Sequence, residues 1–587
     1  MPESKHSVTI IGAGIAGMSA ALRLLQAGCS VTVIEKSNRV GGQFGAVQDG
    51  QRYHEHAFHI FADWNQNFFE LCKDIGIRRP TDPGNGRDAF VPRPAFMTLR
   101  PLGPQANKSS PKGRERQDFN RLEYLGSWET FWKNATSDVA HWSDMVIYQY
   151  SILSLLSDDS LDNDQTKEFL NRVSVNGYMR SLKYMSDVAA LLHQELLLKV
   201  FAVPSYRTSA RAYQTYLRHT AAFPPGRQVG SDPSVLSPSF WSMKGNVHEH
   251  FWEPFRAKLE ETKKAKGVDY QFRPEEEVTG LVVESDQRGS KVTRIKVNGT
   301  EEPVNGFVLV AVPPAGLTKI LKGSPELVKV VPELADLVYL DCVPVPALNI
   351  YFNKRLDLPA EHVTLLDALQ DFYNPDTSLA RKNGIGSKYG LSFVDNSQLW
   401  PDLEERGKTV LSVLAADAKS LMDEPDETIK KTLIATLKQY IRFDEKEDFE
   451  FEPHLQNHRK EPLFVNTEGS WEYRPEARLD QTLTDDPVGR TERRFPRIHQ
   501  RVPNLFLAGD YCRSEVDIVS VEGAIVTGMS AAHLICADAK PPIRSPRDFD
   551  RDSLRRAKPL LDSWIDLASR RSTQEFLAQR EKAMQTH

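Results

Sequence analysis

The chain has 587 residues, 40% hydrophobic and 26% charged, with 74 Lys and Arg against 79 Asp and Glu for a net charge of −5. At roughly 100–200 residues per domain this length calls for two or three cores, and the composition excludes disordered, collagenous and membrane-spanning classes. With no basic face in evidence, a nucleic-acid partner is not expected.

The first element is a buried strand, Val8 to Ile11, followed by Gly12-Ala13-Gly14-Ile15-Ala16-Gly17 and helical spacing through Leu25 to a stop near Gly28; Val31 to Glu35 is the next strand. This is a βαβ unit, which points to a doubly wound α/β fold. In G-x-G-x-x-G, Gly12 permits the tight turn, Gly14 lets backbone approach a pyrophosphate, and Gly17 lets helix pack on strand. The helix N-terminus, at Ile15 and Ala16, offers free N–H groups to phosphates. Glu35, followed by Lys36, ends the second strand where a carboxylate can accept both hydroxyls of an unphosphorylated ribose. Arg39, Gly41 and Gly42 extend the phosphate cradle with one cation and two glycines, an extension that favours FAD over NAD.

His54, His56 and His59 invite a metal, but in a strand His54 and His56 share one face and His59 the other, without a carboxylate or Cys at ligand spacing, so none is expected. Arg87 to Arg116 is rich in Pro, Gly and Arg and reads as a connecting loop. Leu122 to Leu217 turns helical; within it Leu182 to Val203 carries an apolar face, read first as core and second as a membrane or substrate-tunnel face. Strands are expected at Gly280–Val283, Val292–Val297 and Phe307–Val312, the last stopped by Pro313-Pro314, then at Ala347–Phe352. The helix Asp426–Ile441 lies in a mixed region reaching Pro496, and Asn504 to Gly509 is a further buried strand. Beyond Lys540 the chain reads as a C-terminal appendage.

Cys29, Cys72, Cys342, Cys512 and Cys536 are odd in number and scattered, so reduced thiols are expected. No cleavable leader and no run of about 18 apolar residues is found, so a cytoplasmic location is expected, with peripheral membrane contact left open.

Ile10 to Gly42 resembles the flavin-containing amine oxidase and carotenoid desaturase superfamily, in which Arg-x-Gly-Gly follows the ribose-binding Glu. Val278 sits where that family contacts adenine, Val310 to Pro314 resembles its strand returning to the flavin, and Leu507-Ala-Gly509-Asp510-Tyr511 with Ser520 to Ala524 resembles its C-terminal flavin motif. The resemblance implies a Rossmann-like FAD-binding domain (1–95, 238–340 and 495–540) interleaved with a mixed α+β substrate domain (96–237 and 341–494), and a helical tail (541–587). It implies flavin contacts from Gly509, Asp510, Val519, Val521 and Ala524, with the helix N-terminus at the pyrimidine edge.

The amine-oxidase branch places a Lys where Ala347 stands. His56-Ala-Phe58-His59-Ile-Phe61 resembles plant-type phytoene desaturases and hydroxysqualene dehydroxylases, and Glu461 to Trp471 resembles bacterial desaturase-like flavoproteins. This branch implies hydride transfer from a C–H bond of a long apolar substrate, such as an isoprenoid, carotenoid precursor or fatty acyl chain, to flavin N5, forming or rearranging a C=C bond. The acceptor, quinone or oxygen, stays open.

His56, Phe58 and His59 are expected beneath the flavin. His250 is expected at the place of a catalytic Arg of the desaturases, and His59 is the second catalytic candidate. Cys512 is expected to pack in the core. Arg513 is read as solvated or pyrophosphate-facing, or else touching substrate, and Trp471 and Tyr473 as core or channel aromatics. The competing functions are an amine oxidase producing hydrogen peroxide, a non-redox isomerase holding FAD reduced, and a non-enzymatic FAD-holding assembly protein.

Overall fold

A computed structural model describes residues 5–50, 52–102, 119–124, 127–157, 164–222, 224, 238–367, 389–400, 407–456, 462–476, 498–514, 516–544 and 551–585. It opens as the glycine turn dictates, with β1 (Ser7–Ile11), α1 (Ile15–Gln26) and β2 (Ser30–Ile34). A hairpin of β3 (Ala46–Asp49) and β4 (Arg52–Glu55) follows, then α2 (Gln66–Asp74), β5 (Ala95–Leu99) and β6 (Phe119–Glu123). The helical stretch holds α3 (Trp142–Ser157), α4 (Asp187–Phe201) and α5 (Ala210–Ala222). The chain then returns through β7 (Tyr270–Arg273), a three-stranded antiparallel meander spanning 278–303, β8 (Phe307–Val310) and α6 (Pro314–Lys322). It continues with β9 (Ala347–Phe352), β10 (His362–Leu365), β11 (Leu391–Asp395), β12 (Thr409–Ala415), α7 (Asp426–Leu437), β13 (His454–Gln456), β14 (Leu505–Leu507), α8 (Val521–Ile535) and α9 (Arg551–Gln585).

Two sheets organise the molecule. The first is parallel, in the order β7-β2-β1-β8-β14, so that strands from both ends of the sequence flank β1. Apolar side chains on one face pack on α1 and α8. These two helices touch closely because Gly528 carries no side chain; a Cβ there would lie 2.1 Å from the Ala16 carbonyl oxygen. The second sheet has the order β6-β5-β10-β11-β12-β9-β13, antiparallel except where β5 meets β10. Leu348, Ile350 and Phe352 of β9 pack there with Ile429, Leu433 and Leu437 of α7.

The structure corrects several expectations. Arg87 to Leu99, read as loop, contains strands at Arg87–Asp88, Phe90–Pro92 and β5. Pro92 and Pro94 hid them, yet Pro92 ends its strand and Pro94 precedes β5, positions where a missing N–H is tolerated. Residues 103–116 of that stretch, 477–496 of the mixed region and Glu461 lie outside the described residues. The strand expected to reach Val312 ends at Val310, and Pro313-Pro314 starts α6, with Pro314 at its first position, where its fixed φ is already helical. The helix read over Leu182–Val203 starts only at Asp187, with Ser186 accepting the Ala189 N–H as its cap. The tail is not detached: Leu561, Ile565 and Ala568 of α9 are buried with Phe131, Val146, Ile147 and Tyr150, Ser572 Oγ donates to Asp144 at 2.5 Å and Tyr150 donates to Asp562. Among the described residues no helix is long and apolar enough to cross a membrane.

Candidate flavin site and adjoining cavity

Backbone geometry builds the floor of the site. Gly12 has φ 104°, and a Cβ there would lie 2.5 Å from the Ala311 carbonyl oxygen, so β8 approaches the turn as only glycine allows. The Gly41 N–H donates to Ala13 O at 2.8 Å, tying the second glycine pair to the first. Glu35 holds the same turn together: its Oε2 accepts the Ala13 N–H at 2.8 Å, and its Oε1 accepts the N–H and O–H of Ser37, both at 2.9 Å. Arg39 Nη1 reaches Gly42 O at 3.3 Å.

Above this floor lies a cavity of about 550 Å³. Gly12, Gly14, Ile15, Ala16, Glu35, Lys36, Arg39, Gly41, Gly42 and Val278 line one part of it; Gly509, Asp510, Val519, Val521 and Ala524 line another, with His56, Phe58 and His59 alongside. Gly17 does not line it. A Cβ there would stand 2.2 Å from Gly12 O, so its role is packing α1 onto the turn.

Opposite the glycine turn, α8 points its N-terminus at the cavity through Val519, Ser520 and Val521. Ser520 caps it, accepting the Gly523 N–H at 3.0 Å. Glu522, in the first turn, is fully buried and accepts the Asn67 N–H at 2.9 Å, Asn67 Nδ2 at 2.8 Å and the Phe68 N–H at 2.9 Å. Burial pushes its carboxyl up to about 7 against those donors. Asp510 is raised to about 6, again by burial, with Arg474 acting the other way. Sequence reasoning missed Arg474: its guanidinium donates to the carbonyls of Tyr511 at 2.9 Å, Cys512 at 2.9 Å and Asp510 at 3.0 Å, fixing the loop after β14.

An open cavity with an N–H-rich turn, a carboxylate bonded to that turn at Glu35 and a helix N-terminus at Val519–Val521 fits an FAD molecule. Lys36 and Lys319 are the lysines among its lining residues. Lys36 follows Glu35, and Lys319 pairs with Glu277 at 2.6 Å, next to Val278, so both lie in the part of the cavity lined by Glu35 and Val278. Ala347 is fully buried in β9, paired with Leu414 and Gln456.

A second cavity, of about 410 Å³, shares Phe58, His59, Val519, Ser520 and Val521 with the first. Met145, Tyr148, Ile152 and Leu156 of α3 form one wall, and Tyr213, Tyr216 and Leu217 of α5 another; Phe96, Tyr124, Phe240 and His362 also line it. Burial raises all four tyrosines, Tyr216 to about 12 and Tyr124, Tyr148 and Tyr213 well above their ordinary value, so they stay neutral phenols. Behind them His193 bridges Tyr213 OH at 2.9 Å and Ser151 Oγ at 2.6 Å, and burial lowers it to about 3. Among the described lining residues Glu123 is the one Asp, Glu, Lys or Arg. At the junction of the cavities His59 Nδ1 lies 3.2 Å from Glu55 Oε2, and Glu55 Oε1 accepts the Val247 N–H at 2.7 Å.

Other candidates lie elsewhere. His250 lines neither cavity: Gly245, at φ 105°, turns the chain so that the imidazole folds back over the turn, where a Cβ on Gly245 would meet its Nε2 at 2.2 Å. Arg513 is buried and donates to Trp471 O at 2.7 and 3.0 Å, neither solvated nor facing a cavity. Trp471 stacks under Arg211, Tyr473 packs near Tyr339, and neither lines the flavin cavity or the second one. Cys512 is buried, its thiol raised by burial. Among the described side chains of Leu182–Val203, Phe201 and Ala202 line the flavin cavity, while Val188, Ala189 and Leu192 pack in the core.

Comparison with known proteins agrees with this geometry. A zeta-carotene desaturase of Solanum lycopersicum is 38% identical over 85 residues, 13% of this chain and 14% of that protein; the chain thus aligns with only about a seventh of the length of that relative. A 15-cis-phytoene desaturase of Synechococcus elongatus is 23% identical over 542 residues, 90% of this chain and 96% of that one. Among solved structures, an oxidoreductase from Methanosarcina mazei superposes with a TM-score of 0.55 at 14% identity, over 89% of this chain and 99% of that one. A redesigned putrescine oxidase gives 0.54 at 16% identity, over 91% and 100%. These two show a shared fold. Residues 15–536 match the flavin containing amine oxidoreductase family, and with the cradle between the glycine turns and α8 in view, the chain belongs to that family of oxidoreductases and has FAD as its cofactor.

Proposed function

We propose that this protein removes a hydride from a C–H bond of a long apolar substrate, forming or rearranging a C=C bond. The observation that carries the reading is the second cavity, which meets the flavin cavity at Phe58, His59 and Val519–Val521 and is walled by aliphatic and aromatic side chains. Ala347 at the lysine position of amine oxidases supports it, as does the similarity to a phytoene desaturase along 90% of the chain. Bound FAD supplies the hydride acceptor. The walls from α3 and α5 hold the substrate and keep water away, which is where positioning contributes most of the rate. Loss of the hydride is matched by loss of a proton from the neighbouring carbon. With Nδ1 donating to Glu55, His59 Nε2 is left to accept that proton.

Anaerobic mixing of the FAD-loaded protein with polyenes, fatty acids and amines tests this. Bleaching of the flavin by an apolar substrate is expected. The four cavity tyrosines can also hold a cation on their ring faces, so bleaching by amines alone would replace the proposal with amine oxidation. Turnover that requires a quinone or oxygen identifies desaturation, and turnover without an acceptor on reduced flavin identifies isomerisation.

A further inference from the structure

Away from both cavities, the β3–β4 hairpin reaches the edge strand β13 of the second sheet. Asp49 ends β3, His54 lies in β4 and His454 opens β13, 405 residues further along the chain than Asp49. Their ligand atoms all lie within 4.8 Å of one another. Asp49 Oδ2 is 3.8 Å from His54 Nε2 and 3.8 Å from His454 Nδ1, beyond hydrogen-bond reach. The His54 ring is buried, and neither of its nitrogens has a hydrogen-bond partner. A buried imidazole with both nitrogens unsatisfied is uncommon in a folded protein. Its ring stacks on His454 at 3.9 Å, with Tyr351 and Phe451 around it.

We propose that Asp49, His54 and His454 form a binding site for a divalent transition cation such as zinc, which clips the hairpin to the edge of the second sheet. Two imidazoles and a carboxylate are the donor set this class of ion takes, whereas calcium and magnesium prefer oxygen alone. Nearby cations are already matched by carboxylates: Arg52 pairs with Glu450 at 2.8 Å, and Lys430 with Glu427 at 2.6 Å and with Glu452. Metal bonds of about 2.0–2.2 Å bring such ligand atoms to roughly 3.3 Å of each other. Asp49, whose side chain is 64% exposed, closes the difference by rotating, and the half-buried His454 ring tilts so that the two lone pairs converge. The exposed side leaves a coordination position for water. Gln456 Nε2 already donates to His54 O at 3.3 Å, so the two segments are in register before any ion binds.

The test uses FAD-loaded protein stripped of metal with a chelator, dialysed against graded zinc chloride and assayed for bound zinc by mass spectrometry. One equivalent is expected, with a thermal midpoint that rises as zinc is added. Asp49→Asn and His454→Ala, both at accessible positions, are expected to keep their flavin absorbance and to bind zinc about tenfold more weakly or worse, with the thermal shift gone. Zinc binding that is absent at millimolar concentration, or unchanged in both variants, overturns the proposal.

Discussion

His59 stands in the wall common to both cavities, and its ring orientation is fixed by Glu55, which is itself anchored by the Val247 N–H. Replacing it with Gln preserves bulk and polarity while removing the proton acceptor. His59→Gln is expected to slow anaerobic flavin reduction by about 10²-fold in stopped flow, with the flavin spectrum retained; an unchanged rate would reduce His59 to a wall residue. Gly12→Ala acts on the cofactor instead. Left-handed strain of about 1–2 kcal/mol adds to a clash with a backbone oxygen 2.5 Å away, so flavin content after gel filtration should fall at least about tenfold. Such glycines were legible in the sequence because φ above zero and close backbone approach exclude every other residue. Arg474 was not legible: an arginine that donates to four main-chain carbonyls, all 36 to 43 residues on, leaves no spacing to read. His54 drew notice in the sequence beside His56 and His59, with no metal expected, but Asp49 and His454 did not, since their proximity to it depends on how the hairpin meets the second sheet.

Among the elements, α8 joins the flavin site to α2 through Glu522. In the unfolded chain this carboxyl titrates near its ordinary 4.5, and in the folded protein near 7. The folded state therefore holds its proton more tightly; the associated stability is complete below pH 4.5 and is lost as pH rises through about 7. Thermal melts of wild type and Glu522→Gln should show the wild type losing midpoint relative to the variant across that window, and parallel profiles would mean that the three N–H donors outweigh burial. The walls of the second cavity show where element-level reading stops. Met145, Tyr148, Ile152 and Leu156 recur at helical spacing on α3, as Tyr213, Tyr216 and Leu217 do on α5. That spacing marks an inward face equally for a packed core and for a cavity. Only the separation of the two helices in the fold distinguishes them, and of the helix singled out from sequence, α4, the described residues Val188, Ala189 and Leu192 pack in the core.

For the whole molecule, α9 packs on α3 against Val146, Ile147 and Tyr150, whereas Met145, Tyr148, Ile152 and Leu156 of α3 line the second cavity. Removing 551–587 uncovers Phe131, Val146, Ile147 and Tyr150, so the thermal midpoint should fall by several degrees. The flavin site, built from the parallel sheet and α8, should keep its absorbance. Flavin reduction by an apolar substrate should slow as α3 loosens, and equal loss of flavin would show that α9 supports both sites. The doubly wound βαβ start and the later strands were legible from hydrophobic pattern, whereas the seven-stranded sheet was not, because its strands come from 95–123 and 347–456 and one of them sits among prolines. The order of the parallel sheet has a further consequence for biosynthesis. β1 is flanked on one side by β8 and then β14, and the cofactor cavity closes only when Gly509 to Ala524 are in place. A ribosome adding about 5–20 residues per second leaves the first glycine turn exposed for roughly 25–100 s before its opposite wall is made. A nascent chain is therefore expected to retain FAD only after residues 509–524 have been made.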